Sequence, residues 1–363
     1  MSAGSRYGAG VTVRQSVRGV RVSSGQGVFE GMPTPLYAAS PSRLLAYLDC
    51  PRRYRLHYLD RPRPAPRPQR AQTSVGIATH NALRDWWDLP SERRTAAAAG
   101  ELVRTAWIAT GFRDPDQSGR WRRTVTGEVT AYLQGVDPTQ QPRGVERTLS
   151  IRTAALTLSG RVDRLDERGA ELVIVDYKTG RRPCTQEEAR TSLPLALYAA
   201  AAWTMFRRRC VTVELHHVPT GTVASHTHTG DSLRRKLEEA DSIAHDVRAA
   251  DASFREVGVE SPSFPPLPSA LCPWCDYRAA CPEGQRMGPE KSSWAALEPD
   301  LQPDPALAGA DHDERRRDAA HRTQDQGPPA GPDAGPSVGP RGREPEGRGR
   351  QDDLGGQPGG GLR

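Results

Sequence analysis

The segments LSGRVD (158–163) and LVIVDYKTG (172–180) decide the reading of this chain. Strand periodicity puts Leu172, Ile174, Asp176 and Lys178 on one face and Val173, Val175 and Tyr177 on the other, so the acid and the lysine point the same way. Apolar residues on both faces ahead of the polar end mark a central, covered strand. Glu167-Arg168-Gly169-Ala170 supplies the turn back from the preceding strand, which makes a hairpin. On that strand Thr157, Ser159, Arg161, Asp163 and Leu165 share a face, and the right register sets Asp163 beside Asp176. Two carboxylates and one ammonium then meet, the groups needed to hold a divalent metal beside a phosphodiester. The same residues also suit a salt bridge at two surface strand ends.

Lys178 is conspicuous because, of 50 basic residues, only Lys178, Lys236 and Lys291 are lysine. An ammonium is a compact charge whose pKa can fall on burial, whereas a guanidinium stays charged and forked. Lysine in a chain that otherwise prefers arginine suits chemistry better than scaffolding.

Around this hairpin the chain alternates helix and strand signals. Ser40-Pro41 starts a helix carrying Leu44, Leu45, Tyr47 and Leu48 towards Cys50-Pro51. Further helices are expected over about 75–87, holding His80, 92–109 and 121–133. Strands follow near 144–151, 155–166 and 171–178, then an alanine-rich helix over 187–206, strands near 210–218 and 222–227, and a helix over 232–249. No internal repeat is visible.

The chain has 363 residues, of which 36% are hydrophobic, and its mean hydropathy of −0.66 says that much of it is not core. Residues 1–35 are rich in Gly, Ser and Arg without an apolar run and read as a disordered extension, not a signal peptide or membrane anchor; Met32 is a candidate start. Residues 291–363 read as a disordered Pro/Gly/Arg-rich tail, with periodicity gone from about Glu298. The folded domain is expected over 36–290, with a cytoplasmic location and no membrane partner.

A formal net charge of +6 admits a polyanionic partner. Arg52, Arg53, Arg55, Arg61, Arg63, Arg67 and Arg70 are interleaved with Tyr54, His57 and Tyr58. This stretch reads either as a solvated face and linker or as a phosphate-contacting surface with aromatics that stack on bases.

Of six cysteines, Cys272 and Cys275 are spaced C-x2-C, Cys281 follows, and Cys50 lies far upstream; Cys184 and Cys210 stand outside the pattern. The chain is too large to need a secreted disulfide framework, so thiolate ligation of zinc or an iron–sulfur cluster is favoured, with the choice open.

The runs SPSRLLAYLDCPRRYRLHYL (40–59), GIATHNAL (76–83), LSGRVDRLD (158–166), ELVIVDYKTGRRP (171–183), SLPLALYAAAA (192–202) and FPPLPSALCPWCDYRAAC (264–281) together resemble the PD-(D/E)XK nucleases of the RecB-family exonuclease and Cas4-like group. The resemblance implies an α/β, restriction-endonuclease-like fold with a mixed sheet flanked by helices. It implies a metal-dependent DNA nuclease, expected to be an exonuclease in repair or recombination. His80, Asp163 and Asp176, with the Tyr177 carbonyl, would hold Mg²⁺ or Mn²⁺, and Lys178 would be the catalytic lysine. Tyr198 matches the tyrosine of the family's Gln-x3-Tyr motif, but Pro194 fills the glutamine slot. Glu146 resembles an acid sometimes found on the first core strand, or makes a cross-strand salt bridge. Cys50, Cys272, Cys275 and Cys281 would ligate a [4Fe–4S] cluster that clasps the two ends of the domain.

DNA is the expected partner, with a repair helicase as a further candidate. The chain carries no G-x4-GK[ST] loop and supplies no such motor itself. Two other readings use the same fold: a non-catalytic DNA-binding or assembly module, for which Pro194 is the hint, and a subunit active only beside a helicase.

Overall fold

The computed structural model describes residues 35–298; the expected N-terminal extension, Met32 and most of the expected tail lie outside them. In chain order, a short strand β1 (Tyr37–Ala39) leads into helices α1 (Pro41–Asp49), α2 (Pro51–Tyr58), α3 (Ala71–Asp88), α4 (Ala96–Ala106) and α5 (Pro115–Gln134). Three strands follow, β2 (Gly144–Arg152), β3 (Leu156–Arg168) and β4 (Glu171–Lys178). Then come α6 (Gln186–Thr191), α7 (Leu193–Phe206), β5 (Cys210–His217), β6 (Thr222–Thr227), α8 (Gly230–Val257) and the short α9 (Pro282–Gln285).

The sheet is mixed, with order β1-β3-β4-β5-β6 and β2 added to β3. The pairs β3/β4 and β5/β6 are antiparallel, whereas β4/β5 is parallel and so needs the crossover through α6 and α7. As the alternation requires, Leu172 and Ile174 face a core built with α1, α7 and α8. Val173, Val175 and Tyr177 face a second core built with α3, α4 and α5. Both faces of β4 are therefore covered, which explains its nearly continuous apolar run.

The long strand β3 positions the site. Along one edge it pairs with β2 from Thr157 to Leu165. Its other edge is shared by two strands, β1 against Leu156–Leu158 and β4 against Arg164–Arg168. Between them Ser159–Asp163 have, among the described residues, no strand partner on that edge, so the sheet is split just where Asp163 stands.

Local chemistry explains the helix starts. Asp114 caps α5, its Oδ1 accepting from the Gln117 amide at 2.6 Å, and Thr185 with Glu188 forms a capping box on α6. The single helix expected over 187–206 is two, because Ser192 turns to cap α7 and Pro194 sits in that helix's first turn, where its missing N–H costs nothing.

In the basic stretch 52–70, one of the three aromatics, Tyr54, is withdrawn from any surface on which it could stack on a base. Tyr54 is fully buried, and its hydroxyl is held by Tyr37, Arg43 and Asp251. His57 bonds the Tyr277 hydroxyl at 2.7 Å. Arg52 and Arg67 donate to the carbonyls of Phe264, Pro273 and Lys291, and Arg55 to that of Val259, so these arginines tie α2 and the following loop to the C-terminal segment. That segment extends past the expected boundary at 290: Ala71 N–H donates to the Ser293 carbonyl, and Ala295 and Leu297 are buried.

Candidate active site

Asp163, Asp176 and Lys178 converge where β3 and β4 separate. Backbone pairing ends at Arg164 opposite Val175. One step on, the Asp163 carboxylate takes over the role of a strand, accepting the Tyr177 amide at 2.7 Å. Its other oxygen lies 3.3 Å from Nδ1 of His80, which α3 brings across the split. Asp176 Oδ2 lies 2.6 Å from Lys178 Nζ, as expected of residues two apart on one strand face.

The four groups feel one another electrostatically. Burial raises the Asp176 pKa, and the Asp163 carboxylate adds to this against the opposing Lys178 ammonium and His80. Desolvation alone would lower the Lys178 and His80 pKa values, but the adjoining carboxylates more than offset it, so both are raised. Two carboxylates and an imidazole that meet in this way are groups able to hold a divalent cation.

Glu146 joins this centre. It pairs with Arg161 at 2.8 Å, and its carboxylate also stands with His80 and Asp163 such that one ligand atom from each lies within 4.8 Å of the others. The salt bridge and the proximity to the acids coexist. Its φ of 47° is the left-handed region, which costs a non-glycine residue on the order of 1–3 kcal/mol and is found where the surroundings enforce it. Asp176 lies outside this tight trio, on the Lys178 side of the site.

Tyr177 contributes backbone only. Its ring points to the opposite face, where its hydroxyl accepts from Trp87 Nε1 at 3.0 Å and Arg164 Nη1 at 2.9 Å. Arg164 is itself buried against Asp166, and Arg168 links Asp166 to Glu214, which bonds His216. This network anchors β4 from behind. Its signal is the alternation RVDRLD (161–166), which sends Arg164 and Asp166 to the face opposite Asp163.

Tyr198 arrives from α7 at the split edge of β3. Its hydroxyl bonds the Arg161 backbone, and burial together with the Asp176 and Asp163 charges raises its pKa. Gly160 leaves room for it: a Cβ there would lie 2.5 Å from Tyr198 Oη. Pro194, one turn earlier, offers no hydrogen-bond donor.

His217, which sequence reasoning passed over, ends β5 directly beside Lys178 in the parallel ladder. It is fully buried, with Nε2 2.7 Å from the Gly180 carbonyl and Nδ1 2.8 Å from Thr220 Oγ1. Val218 N–H meanwhile donates to the Lys178 carbonyl. The end of β5 thus grips the chain on both sides of Thr179.

This set of groups, at the split of a mixed sheet, agrees with the comparison to protein families: the model of the PD-(D/E)XK nuclease superfamily matches residues 38–282, well over half of the chain. The chain belongs to the PD-(D/E)XK nuclease superfamily. As expected of such a nuclease, the mixed sheet is flanked by helices, and a His/Glu/Asp group suited to a divalent metal is present. No curated protein matches the chain. Among solved structures, the crystal structure of SSO0001 aligns at 14% identity over 57% of this chain and 84% of its own, with a TM-score of 0.24. Among the described residues no helix is long and apolar enough to cross a membrane.

The cysteines form a separate feature. All six are free thiols. Cys50, Cys272, Cys275 and Cys281 line one cavity of about 220 Å³ between α2 and the C-terminal segment. Cys50, Cys272 and Cys281 each accept a backbone N–H at sulfur, from Arg53, Ser269 and Gly284. They do not form a tight single-ion site: among the described residues, His80, Glu146 and Asp163 make up the group close enough to share one ion. Cys184 and Cys210 lie outside that cavity: Cys210 is buried in the core, and Cys184 stands near enough to Lys178 and Asp176 to feel their charges.

Proposed function

We propose that this protein is a metal-dependent deoxyribonuclease, acting as an exonuclease on DNA in repair or recombination. The observation that carries this reading is the meeting of His80, Asp163, Asp176 and Lys178 at the split between β3 and β4. His80, Asp163 and Asp176 would hold Mg²⁺ or Mn²⁺, with the Tyr177 carbonyl and with Glu146 as a further carboxylate. Such an ion, when bound, polarises a phosphoryl oxygen and lowers the pKa of a bound water.

The chain's own residues do the rest. The Lys178 ammonium orients the attacking water and offsets the negative charge that grows on the phosphoryl oxygens in the transition state. Asp163 spends one oxygen on the Tyr177 amide, which fixes its carboxylate plane and the spacing of the two strand ends. Tyr198, bonded to the Arg161 backbone, holds the open edge of β3 and presents a neutral phenol near both acids. The buried Arg164–Tyr177–Trp87 network keeps Asp176 and Lys178 aimed into the cleft.

For the cysteines, the reading is a [4Fe–4S] cluster held by Cys50, Cys272, Cys275 and Cys281. Its support is their shared cavity and the N–H groups aimed at the sulfurs; hydrogen bonds of this type tune cluster thiolates. The cavity joins α2 to the last segment of the domain, so ligation there closes a loop of more than 200 residues and stabilises the fold.

A non-catalytic role is favoured by one observation, Pro194 in place of a side-chain donor one turn before Tyr198, and a helicase-dependent role would use the same fold. The discriminating experiment is digestion of end-labelled single-stranded and duplex DNA with Mg²⁺ or Mn²⁺, beside a chelator control and Asp163→Ala. Cleavage by the isolated protein that needs both the metal and Asp163 supports the nuclease reading. A folded, metal-supplied protein that leaves both substrates intact would favour the partner-dependent one.

A further inference from the structure

A second cavity, of about 560 Å³, lies away from the cysteines and is lined by Arg113, Gln117, Arg120, Trp121, Arg181, Leu297 and Glu298. Three guanidinium groups and an indole face it, against the single carboxylate of Glu298. It sits at the start of α5, whose first turn is already capped by the Asp114 carboxylate, so the positive character of the pocket comes from its arginines. Arg113 is held by Asp114 at 2.8 Å and reaches Glu298 at 3.4 Å, and Arg181 donates to the Glu298 carbonyl at 2.8 Å, so two of the cations are placed by the chain before any ligand arrives. Trp121 is fixed as well, its Nε1 donating to the Leu297 carbonyl. Its ring is thereby oriented, partly buried against the second core and partly lining the cavity.

The cavity is tied to the reactive centre by a very short piece of chain. Arg181 follows Lys178 with only Thr179 and Gly180 between, so the two Cα atoms are at most about 11 Å apart. That connection is held firm, since His217 grips the Gly180 carbonyl and Val218 the Lys178 carbonyl. One wall of the pocket, Arg181, is therefore set by the same stretch of chain that carries Lys178.

We propose that this pocket binds a nucleotide of the DNA strand next to the scissile phosphate, with Arg113, Arg120 and Arg181 on its phosphate and Trp121 against its base. The inference rests on the nuclease reading only for the identity of the strand. An aromatic face accepts any unpaired base, so the pocket favours single-stranded ends over continuous duplex. The arginines contribute contacts that weaken with salt.

The test is binding, kept apart from cleavage by leaving out divalent metal. The full chain, Arg120→Ala, Arg181→Ala and Trp121→Phe are titrated with an oligodeoxythymidylate of about ten nucleotides, following tryptophan fluorescence and the anisotropy of a labelled strand. Expected are about five-fold or greater weakening in each variant, loss of most of the quenching in Trp121→Phe, and a salt slope smaller by about 0.7 for each arginine removed. Unchanged affinity and slope in all three variants would overturn the proposal. Quenching by inorganic phosphate alone, with an affinity equal to that of the oligonucleotide, would overturn the strand as occupant and leave only an anion site. Because the readout needs no turnover, binding that behaves as expected in a protein that never cleaves DNA would sink the nuclease reading and leave this pocket standing.

Discussion

Gly160→Ala should destabilise the protein, although the usual expectation for a glycine inside a strand has the opposite sign. With no obstruction, alanine stabilises such a position by about 0.5–1 kcal/mol, because glycine loses more chain freedom on folding. Here the added Cβ would stand 2.5 Å from Tyr198 Oη, 2.8 Å from its Cε1 and 3.1 Å from Pro41 Cδ. The ring is rooted in α7, and its hydroxyl bonds the Arg161 backbone, so making room means moving Tyr198 off the edge of β3. Overpacking of this kind costs about 1–3 kcal/mol. For a domain of this size that corresponds to a fall in melting temperature of about 2–10 °C. Thermal unfolding followed by circular dichroism reads the effect, and a double-mutant cycle with Tyr198→Ala assigns its cause. In the Tyr198→Ala background the glycine replacement should become neutral or stabilising, a coupling of about 1 kcal/mol or more. A melting temperature that rises in Gly160→Ala alone, or the same loss in both backgrounds, would refute the packing argument and with it the account of how Tyr198 is held.

Other parts of the structure lead to further expectations. Burial opposes the Glu214 charge, but bonds from His216 and Arg168 outweigh it and bring its pKa down to about 2 from an ordinary 4.5, so its stabilisation is complete above about pH 4.5 and is lost as pH falls towards 2. Glu214→Gln should flatten that part of a stability-against-pH profile, removing on the order of 2 kcal/mol of pH dependence; an unchanged profile would mean that the ion pair is not formed. His217→Ala leaves the Gly180 carbonyl without its donor and should cost about 1–3 kcal/mol in urea unfolding, whereas an unaltered midpoint would show that β5 does not hold the loop after Lys178. On the proposed cluster, anaerobically purified protein should be coloured and Cys275→Ala should lose that absorbance and melt at a lower temperature; colourless wild type, or loss of colour at constant melting temperature, would count against the clasp.

Much of the β3/β4 hairpin was legible, because strict alternation and a Gly-containing turn assign strand, face and register with few alternatives. The convergence of Asp163, Asp176 and Lys178 follows from that register. What stayed hidden depends on neighbours remote in sequence. The strand β1 has only three residues and becomes a strand by lying along β3. The arginines around Tyr54 suggested an exposed aromatic, yet Asp251 and Tyr37 satisfy its hydroxyl inside the core. Ser192 reads as one more helical residue until Pro194 is recognised as a first-turn proline. Glu146 gives no cue to its left-handed backbone, which brings its carboxylate near His80 and Asp163. His217 looks like half of a histidine pair at a strand end, and its hold on Gly180 appears only when β4 and β5 are set side by side.

The most direct test of the central claim compares wild-type protein with Lys178→Met for Mn²⁺ binding and for cleavage of end-labelled DNA under single-turnover conditions. The account predicts that wild type cleaves, and that the variant still folds and binds Mn²⁺ through His80, Asp163 and Asp176 but cleaves about a hundredfold more slowly or worse, having lost the charge that stabilises the transition state. Cleavage by folded Lys178→Met at the wild-type rate would contradict it.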